Sequence, residues 1–141
     1  MDKRVINLWD IHKGKLEEFF ATHRMEEYDS YEKIVKLIIT HILNADDDDG
    51  LELSPDIKTI DDGDYQGTYL FLVHKETYQP DINEYWITHN SYGSCSGCDT
   101  LMGIMRYDEE LPDPQQVKEL MTLSLHLIQR FVPLSNLYPN E

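Results

Sequence analysis

Apolar residues near the start of the chain recur at helical spacing. Leu16, Phe19, Phe20 and His23 follow one another in this way, which predicts a first helix from about Ile11 to Glu26. A second helix is predicted after Asp29, because an aspartate followed three residues later by Glu32 has the form of a capping box. One apolar face of this helix is then formed by Tyr31, Ile34, Val35, Ile38 and Ile42. The second helix should end near Asn44 and Ala45.

Two later segments are rich in aromatic and branched residues, as strands are. The stronger runs from Tyr65 to Lys75 and the other from Glu84 to His89. Because they lie close together in sequence, we expect them to pair antiparallel. A short edge strand is predicted between Leu51 and Ile60, where Pro55 disfavours a central position. The run from Tyr69 to Val73 is apolar at every position, so both faces of the sheet are expected to be covered.

Helical signals return in the C-terminal part of the chain. A short helix is predicted from Asp99 to about Arg106, and a long one after Asp113. Asp113 is suited to capping, Pro114 to the first helical position and Gln116 to the capping box. The predicted buried face of the long helix consists of Val117, Leu120, Met121, Ser124, Leu125, Ile128 and Phe131. Pro133 should stop it.

The order of these elements predicts an α+β fold. Two N-terminal helices, a small antiparallel sheet and C-terminal helices packed on the sheet account for the pattern. The sequence contains no internal repeat and no linker-like stretch. We therefore expect a single globular domain over residues 1–141, with an acidic loop at about residues 45–64.

Composition limits the class of protein. The chain has 141 residues, of which 40% are hydrophobic and 28% charged, as in folded domains rather than disordered ones. No apolar run approaches the roughly 18 residues that a membrane span needs. The first ten residues lack the apolar core of a signal peptide, and two cysteines are too few for a secreted disulfide framework. We expect a cytoplasmic protein with reduced thiols.

The charge is strongly unbalanced. With 27 acidic and 12 basic residues, the net charge is −15. Nucleic acids and anionic membranes both require a basic surface, so neither is expected as a direct partner. A basic protein is the expected partner, since charge would steer the two together. Acidity that serves only solubility is the competing interpretation, and the oligomeric state is left open.

Acidic residues concentrate between residues 46 and 64, where nine acids face one base, Lys58. The predicted partner-binding aspartates are Asp46, Asp47, Asp48, Asp49, Asp61, Asp62 and Asp64. As an EF-hand loop this segment fits poorly. If Gly50 takes the glycine position, Ala45 falls on the first ligand position and Asp56 on the last, where a longer glutamate is usual. A solvated loop is the better interpretation.

The most unusual stretch is a turn-like run that holds both cysteines. Its residues are Tyr92, Gly93, Ser94, Cys95, Ser96, Gly97, Cys98 and Asp99. A redox site is one interpretation, because a helix N-terminus lowers a thiol pKa. The βαβ unit and the Trp and Pro neighbours of a thioredoxin-like site are absent. Zinc is another: Cys95 and Cys98 could be joined by two of His74, His89 and His126.

Two further interpretations of this run remain open. The backbone N–H groups of a small-residue turn could bind an anion or small ligand, with Tyr92, Gly93, Ser94, Ser96, Gly97 and Asp99 forming the turn. Alternatively, the cysteines are small buried apolar groups and Asp99 caps the next helix. The expectation is that no cofactor is bound, with zinc as the alternative. The sequence has no GxSxG, HExxH or kinase signature, so no catalytic residues are assigned and an enzyme is not expected.

One resemblance adds to this picture. The run Asp64-Tyr65-Gln66-Gly67 at the start of a strand, followed by the run from Tyr92 to Asp99, resembles a pattern in small proteins encoded by bacteriophages and their bacterial hosts. It covers roughly residues 64–101. The resemblance implies a phage or mobile-element origin and a bacterial host cell, and it transfers no catalytic residue.

The sequence therefore predicts a non-enzymatic acidic protein that binds or inhibits a basic protein surface. Two forms of this function are considered. One is a nucleic-acid mimic of the anti-CRISPR or anti-defence type, and the other is an immunity protein. The alternative function is a metal- or small-ligand-binding protein that uses the Cys95–Cys98 turn.

Overall fold

The computed structural model describes residues 2–24, 30–46, 50–63, 67–93, 100–104 and 111–137. Its helices are α1 (Lys3–Thr22), α2 (Tyr31–Ile38), α3 (Thr100–Ile104) and α4 (Pro114–Gln129), with a π-helical turn at Ile39–Leu43 and 3₁₀ turns at Ile82–Glu84 and Leu134–Leu137. Its strands are β1 (Lys58–Asp61), β2 (Gly67–His74), β3 (Tyr85–Tyr92) and β4 (Val132–Pro133).

The α+β prediction is confirmed. The four strands form one antiparallel sheet in the order β1-β2-β3-β4. The predicted antiparallel pairing of the two main strands is confirmed, with Tyr69 opposite Asn90 and His74 opposite Tyr85. The predicted edge strand is confirmed as β1. The second edge strand, β4, was not predicted: Pro133 lies opposite Trp86 there, in the edge position that a residue without an N–H tolerates.

The first helix begins and ends earlier than predicted. Asp2 caps α1, because its Oδ1 accepts hydrogen bonds from the N–H groups of Arg4 (2.9 Å) and Val5 (3.3 Å). The helix ends at Thr22, whose hydroxyl donates to the Glu18 carbonyl at 2.8 Å. The buried side of α1 consists of Val5, Leu8, Trp9, His12, Leu16 and Phe20. His23, predicted on the apolar face, is exposed.

The second helix follows the predicted apolar face but begins differently. Ser30 occupies the N-cap position without a side-chain cap, and Asp29 lies outside the described residues. Glu32 was predicted to complete a capping box. Its carboxylate instead accepts a hydrogen bond from the Thr59 hydroxyl of β1 at 3.0 Å. Helical structure continues through the π-helical turn to Leu43, so the predicted end near Asn44 is confirmed.

The sheet is covered by helices on one face. Phe71 and Val73 of β2 are fully buried on that face, whereas Leu70 and Leu72, which point the other way, are half-buried. The predicted cover over both faces is therefore confirmed for one of them, and on the other the described residues leave Leu70 and Leu72 half-buried. The alternation of a strand places neighbouring residues on opposite faces, and the described helices lie against one of them.

The last helix begins as predicted. Asp113 and Gln116 form a reciprocal capping box, and Pro114 takes the first helical position. Its buried face is rotated from the predicted one: Leu123 and Leu127 are buried, while Met121 and Leu125 are partly exposed. The reason is that α4 packs against α1 and also against β3, where the Thr88 hydroxyl donates to the Leu127 carbonyl at 2.7 Å.

One hydrophobic cluster joins the helices to the helix-facing side of the sheet. Fully buried members from separate elements include Phe20, Ile34, Phe71, Leu120 and Phe131. In the described parts of the chain, none of the helices has both the length and the apolarity that crossing a membrane requires.

Candidate functional site

Two stretches that stood out in the sequence meet at one end of the sheet. Asp61 is the last residue of β1, and Tyr92 is the last residue of β3, beside Gly93. Strand β2 lies between them, with Tyr69 opposite Asp61 on one side and Asn90 on the other. The Tyr92 hydroxyl reaches across and donates a short hydrogen bond to Oδ1 of Asp61. The acidic loop and the start of the cysteine turn are therefore joined directly.

The carboxylate of Asp62, next to Asp61, is held by a backbone N–H group. Oδ1 of Asp62 accepts the N–H of Thr68 at 2.6 Å, and the N–H of Gly63 donates to Oδ1 of Asp61 at 3.0 Å. Gly67 allows this close approach: a Cβ atom there would lie 2.8 Å from Oδ1 of Asp62 and 2.9 Å from the Gly63 Cα. A glycine is therefore required at the start of β2.

Three tyrosines support this end of the sheet from the helix-facing side. The rings of Tyr69 and Tyr92 stack with centroids 4.2 Å apart, and Tyr31 of α2 lies 6.1 Å from Tyr69. The Tyr31 hydroxyl accepts the N–H of Leu101 in α3 at 3.0 Å. The residues on either side of the cysteine turn, Tyr92 and Leu101, are thus tied to the same group of rings.

Hydrogen bonding stabilises the charged form of Asp61. The Tyr92 hydroxyl and the Gly63 N–H hold the pKa of the Asp61 carboxyl below its usual range, because both stabilise the charged form. The same contact raises the pKa of Tyr92 above its usual value of 10.0. Salt bridges found within the described residues are Arg4–Asp2 and His12–Asp46, and neither involves Asp61 or Asp62. These two exposed carboxylates are fixed by uncharged donors.

The other end of the predicted acidic loop lies elsewhere. Asp46 follows the π-helical turn, and its Oδ2 is 3.8 Å from Nε2 of the buried His12. The chain then reaches the sheet at Leu53, which bridges to Lys75, while Asp61 lies opposite Tyr69. At about 3.3 Å per residue, these positions are about 20 Å apart along β2. Within the described part of this segment, Leu53 and Asp61 therefore lie toward opposite ends of β2.

The predicted zinc ligands are only partly placed. His74 lies opposite Tyr85, and His89 lies opposite Leu70, so the two histidines are about 13 Å apart along the sheet. One zinc ion needs its ligands within about 4 Å of one another, so the strand register holds these two histidines too far apart to bind the same ion. His126 is exposed on α4. Among the described residues, no group of three or more His, Cys, Asp or Glu side chains could hold a metal ion.

His89 and His74 also differ in their surroundings. Partial burial, with the positive charge of Arg130, lowers the pKa of His89 below its usual value of 6.5. The Arg130 guanidinium donates to the His89 carbonyl at 3.3 Å and to the Asn90 side chain at 3.0 Å. Nδ1 of His74 is 2.8 Å from the Lys75 carbonyl. His89 is close to the start of the cysteine turn in sequence, and its role as a ligand stays a prediction.

Several predicted site residues lie outside the described parts of the chain. They are Asp47, Asp48, Asp49, Asp64, Ser94, Cys95, Ser96, Gly97, Cys98 and Asp99. The redox, zinc, small-ligand and structural interpretations of the cysteine turn therefore stay predictions. Of its predicted ligand-binding residues, Tyr92 and Gly93 are described, and Tyr92 has the additional role of holding Asp61.

Sequence reasoning missed two features of this region. One is the bond between Tyr92 and Asp61, which are 31 residues apart and share no local pattern. The other is a groove of about 680 Å³ beside β1, on the face of the sheet that points away from the described α-helices. The apolar run from Tyr69 to Val73 was the available signal, since the strand also places apolar residues on the face that the described α-helices do not cover.

The chain was compared with protein families, curated proteins and solved structures, and no significant match was found in any of the three.

Proposed function

We propose that this chain is a non-enzymatic binding protein whose acidic surface docks on a basic surface of another protein. One observation carries the proposal. The exposed carboxylates of Asp61 and Asp62 are held in place by Tyr92, Gly63 and Thr68, all of which are uncharged donors. These donors hold the two carboxylates in position but do not neutralise their negative charge.

Such carboxylates are suited to a charged partner. A side chain that is already ordered loses little conformational freedom when a lysine or arginine approaches. The hydrogen bonds that lower the pKa of Asp61 stabilise its charged form. The net charge of −15 would add long-range attraction and speed the encounter with a basic protein.

The same physics fits two kinds of partner. A nucleic-acid channel in a nuclease or CRISPR effector is lined with cations, and rows of carboxylates can occupy it in place of phosphates. A basic toxin countered by an immunity protein is the other kind. The phage-like pattern in residues 64–101 favours a role of the first type, in a bacterial cell.

The separation within the acidic segment narrows the contact surface. Because Leu53 and Asp61 lie about 20 Å apart along β2, a small basic patch centred on Asp61 would not extend to Leu53. The proposal places the main contact at Asp61 and Asp62, with Asp64 next in sequence. The run from Asp46 to Asp49 would serve as a second contact on a larger partner.

The test compares two double variants with the same change in net charge. Asp61→Asn with Asp62→Asn removes two charges at the site and keeps the Oδ1 acceptors for Tyr92 and Thr68. Glu17→Gln with Glu18→Gln removes two charges from exposed positions on α1. The immobilised protein is used to capture a partner from a bacterial lysate at low salt. The purified partner is then titrated by calorimetry at several salt concentrations.

We expect the aspartate variant to bind about tenfold more weakly at low salt and the wild-type affinity to fall steeply as salt rises. The glutamate variant should bind as the wild type does. If both variants lost affinity equally, binding would depend on the overall charge of the protein and not on Asp61 and Asp62. If both variants bound the partner with the wild-type affinity, the proposal that the acidic surface binds the partner would be wrong.

A further inference from the structure

In the described part of the chain, strand β1 is paired on one side and forms an edge of the sheet. The N–H of Asp62 donates to the Thr68 carbonyl at 3.3 Å, which sets the alternation of the antiparallel ladder. In this register Lys58 and Ile60 direct their backbone groups toward β2. The N–H and C=O groups of Thr59 and Asp61 therefore point away from the sheet. All four residues of β1 are exposed, and no further strand among the described residues lies beyond β1.

The two faces beside this edge have different chemistry. On the helix-facing side lie Asp61 and Thr59, and the Thr59 hydroxyl is bonded to the Glu32 carboxylate at 3.0 Å. That side is acidic. On the opposite side lies Ile60, which is 43% exposed. That side leads to the apolar groove.

The groove continues the apolar side of the edge across the sheet. Its volume is about 680 Å³, and it is lined by Asp56, Ile57, Lys58, Leu72, His74, Ile82, Tyr85 and Leu134. Ile82 on its rim is 54% exposed. A strand added beside β1 would place alternate side chains toward this apolar side, and the others toward Glu32 and Asp61.

Charge favours a foreign strand over a second copy of this chain. In a twofold pairing of two β1 edges, Asp61 of one copy would lie opposite Thr59 of the other, beside its Glu32. Two carboxylates would then meet on each side of the axis. Lys58 opposite Asp62 would offset part of this repulsion, but each chain also carries a net charge of −15.

We propose that β1 receives an extended segment of a basic partner as an additional strand. Lysine or arginine side chains of that segment face Asp61 and Glu32, and its alternate apolar side chains cover Ile60 and the adjoining groove. Backbone bonds to Thr59 and Asp61 supply the register. This inference rests on the proposed function, because it names the form in which the basic partner is recognised.

The probe is a short peptide in which lysine and valine alternate, and its control is a peptide in which lysine and proline alternate. The charge is the same in both, but proline residues cannot donate to a ladder. In the protein, Thr59→Pro removes one outward N–H and keeps the bonds of Lys58 and Ile60 to β2, as edge positions allow. Thr59→Val is the matched control, because it also loses the Glu32 contact but retains the N–H.

The lysine–valine peptide should bind at least about tenfold more tightly than the lysine–proline peptide. Thr59→Pro should weaken that binding by about tenfold, and Thr59→Val should have little effect. Circular dichroism checks that the proline variant is folded. In the wild-type protein, amide exchange read by NMR should slow at Thr59 and Asp61 when the lysine–valine peptide is added, which gives a readout independent of any variant.

Other outcomes separate the two proposals. Equal affinity for both peptides, with no protection of the two amides, overturns strand addition. If the double variant of Asp61 and Asp62 still binds the captured partner more weakly, the proposed function stands without strand addition. If that variant also binds the partner normally, both proposals fail. A wild-type dimer that Thr59→Pro dissociates would assign the edge to a second copy and overturn the inference.

Discussion

The side chain of Asn44 closes the loop that carries the start of the acidic run. Its Nδ2 donates to the Leu53 carbonyl, and its Oδ1 accepts the Leu53 N–H, both at 2.8 Å. Leu53 itself is fully buried. The asparagine thus bonds to Leu53 as the backbone of a neighbouring strand would. We predict that Asn44→Ala destabilises the fold.

The magnitude follows from these two bonds. A hydrogen bond contributes about 1 kcal/mol net, and a buried polar group left without a partner costs about 1–3 kcal/mol. Truncation at Asn44 removes the partners of two backbone groups of a buried residue. Asn44 itself is half-buried, so water can reach part of the space that it leaves. The expected loss is about 2–3 kcal/mol, a large share of the roughly 5–15 kcal/mol that a domain has.

Urea unfolding measures this loss as a lower midpoint with an unchanged slope. Asn83→Ala is the matched control, because Asn83 is exposed in the 3₁₀ turn, and its change should stay within about 0.5 kcal/mol. Asn44→Asp keeps an acceptor for the Leu53 N–H but turns an oxygen toward the Leu53 carbonyl, so it should be at least as destabilising as alanine. A loss below about 1 kcal/mol for Asn44→Ala would refute this reasoning.

Three further predictions concern titration and metal binding. Tyr92→Phe removes a donor to Asp61, so the pKa of the Asp61 carboxyl should rise in an NMR titration, and an unchanged pKa would show that the bond is absent in solution. Burial and nearby positive charge lower the pKa of His41 from 6.5. The unfolded chain therefore takes up this proton first, and stability should fall as the pH drops below about 6.5. His41→Gln should flatten that fall in unfolding measurements, and an equally steep curve would point to other groups. Native mass spectrometry under reducing conditions tests the zinc alternative, which requires a zinc-sized mass excess that disappears when Cys95 and Cys98 are both changed to serine; a bare chain mass contradicts it.

The parts of the fold that were predicted correctly are those with local signals. Asp113, Pro114 and Gln116 define the start of α4 within a few residues, and each acts on the backbone beside it. The start of α1 has an equally local signal in the cap at Asp2. It was missed because the prediction relied on the apolar spacing around Phe20. Strand β4 has no local signal, because a two-residue strand is defined by its pairing with β3.

The candidate site shows the same division between local and distant signals. The acidic residues and the cysteine turn were visible as unusual composition. Their meeting was not, because it depends on the sheet register that brings Asp61 and Tyr92 together. The separation of Leu53 from Asp61 along β2 follows from the strand pairing as well. A run of charged residues in a sequence does not show where the folded backbone places each of them.

The π-helical turn at Ile39–Leu43 has an evolutionary consequence. A π-helical turn holds one residue more than an α-helical turn, so a single residue inserted into an α-helix can be accommodated as one. The turn precedes Asn44 directly, so a residue inserted there would lie just before the loop that this asparagine closes. Relatives of this protein that lack one residue here would wind as an ordinary α-helix and could still present the asparagine to the same loop. A one-residue gap at this point in an alignment would therefore record the history of the helix rather than a change in the site.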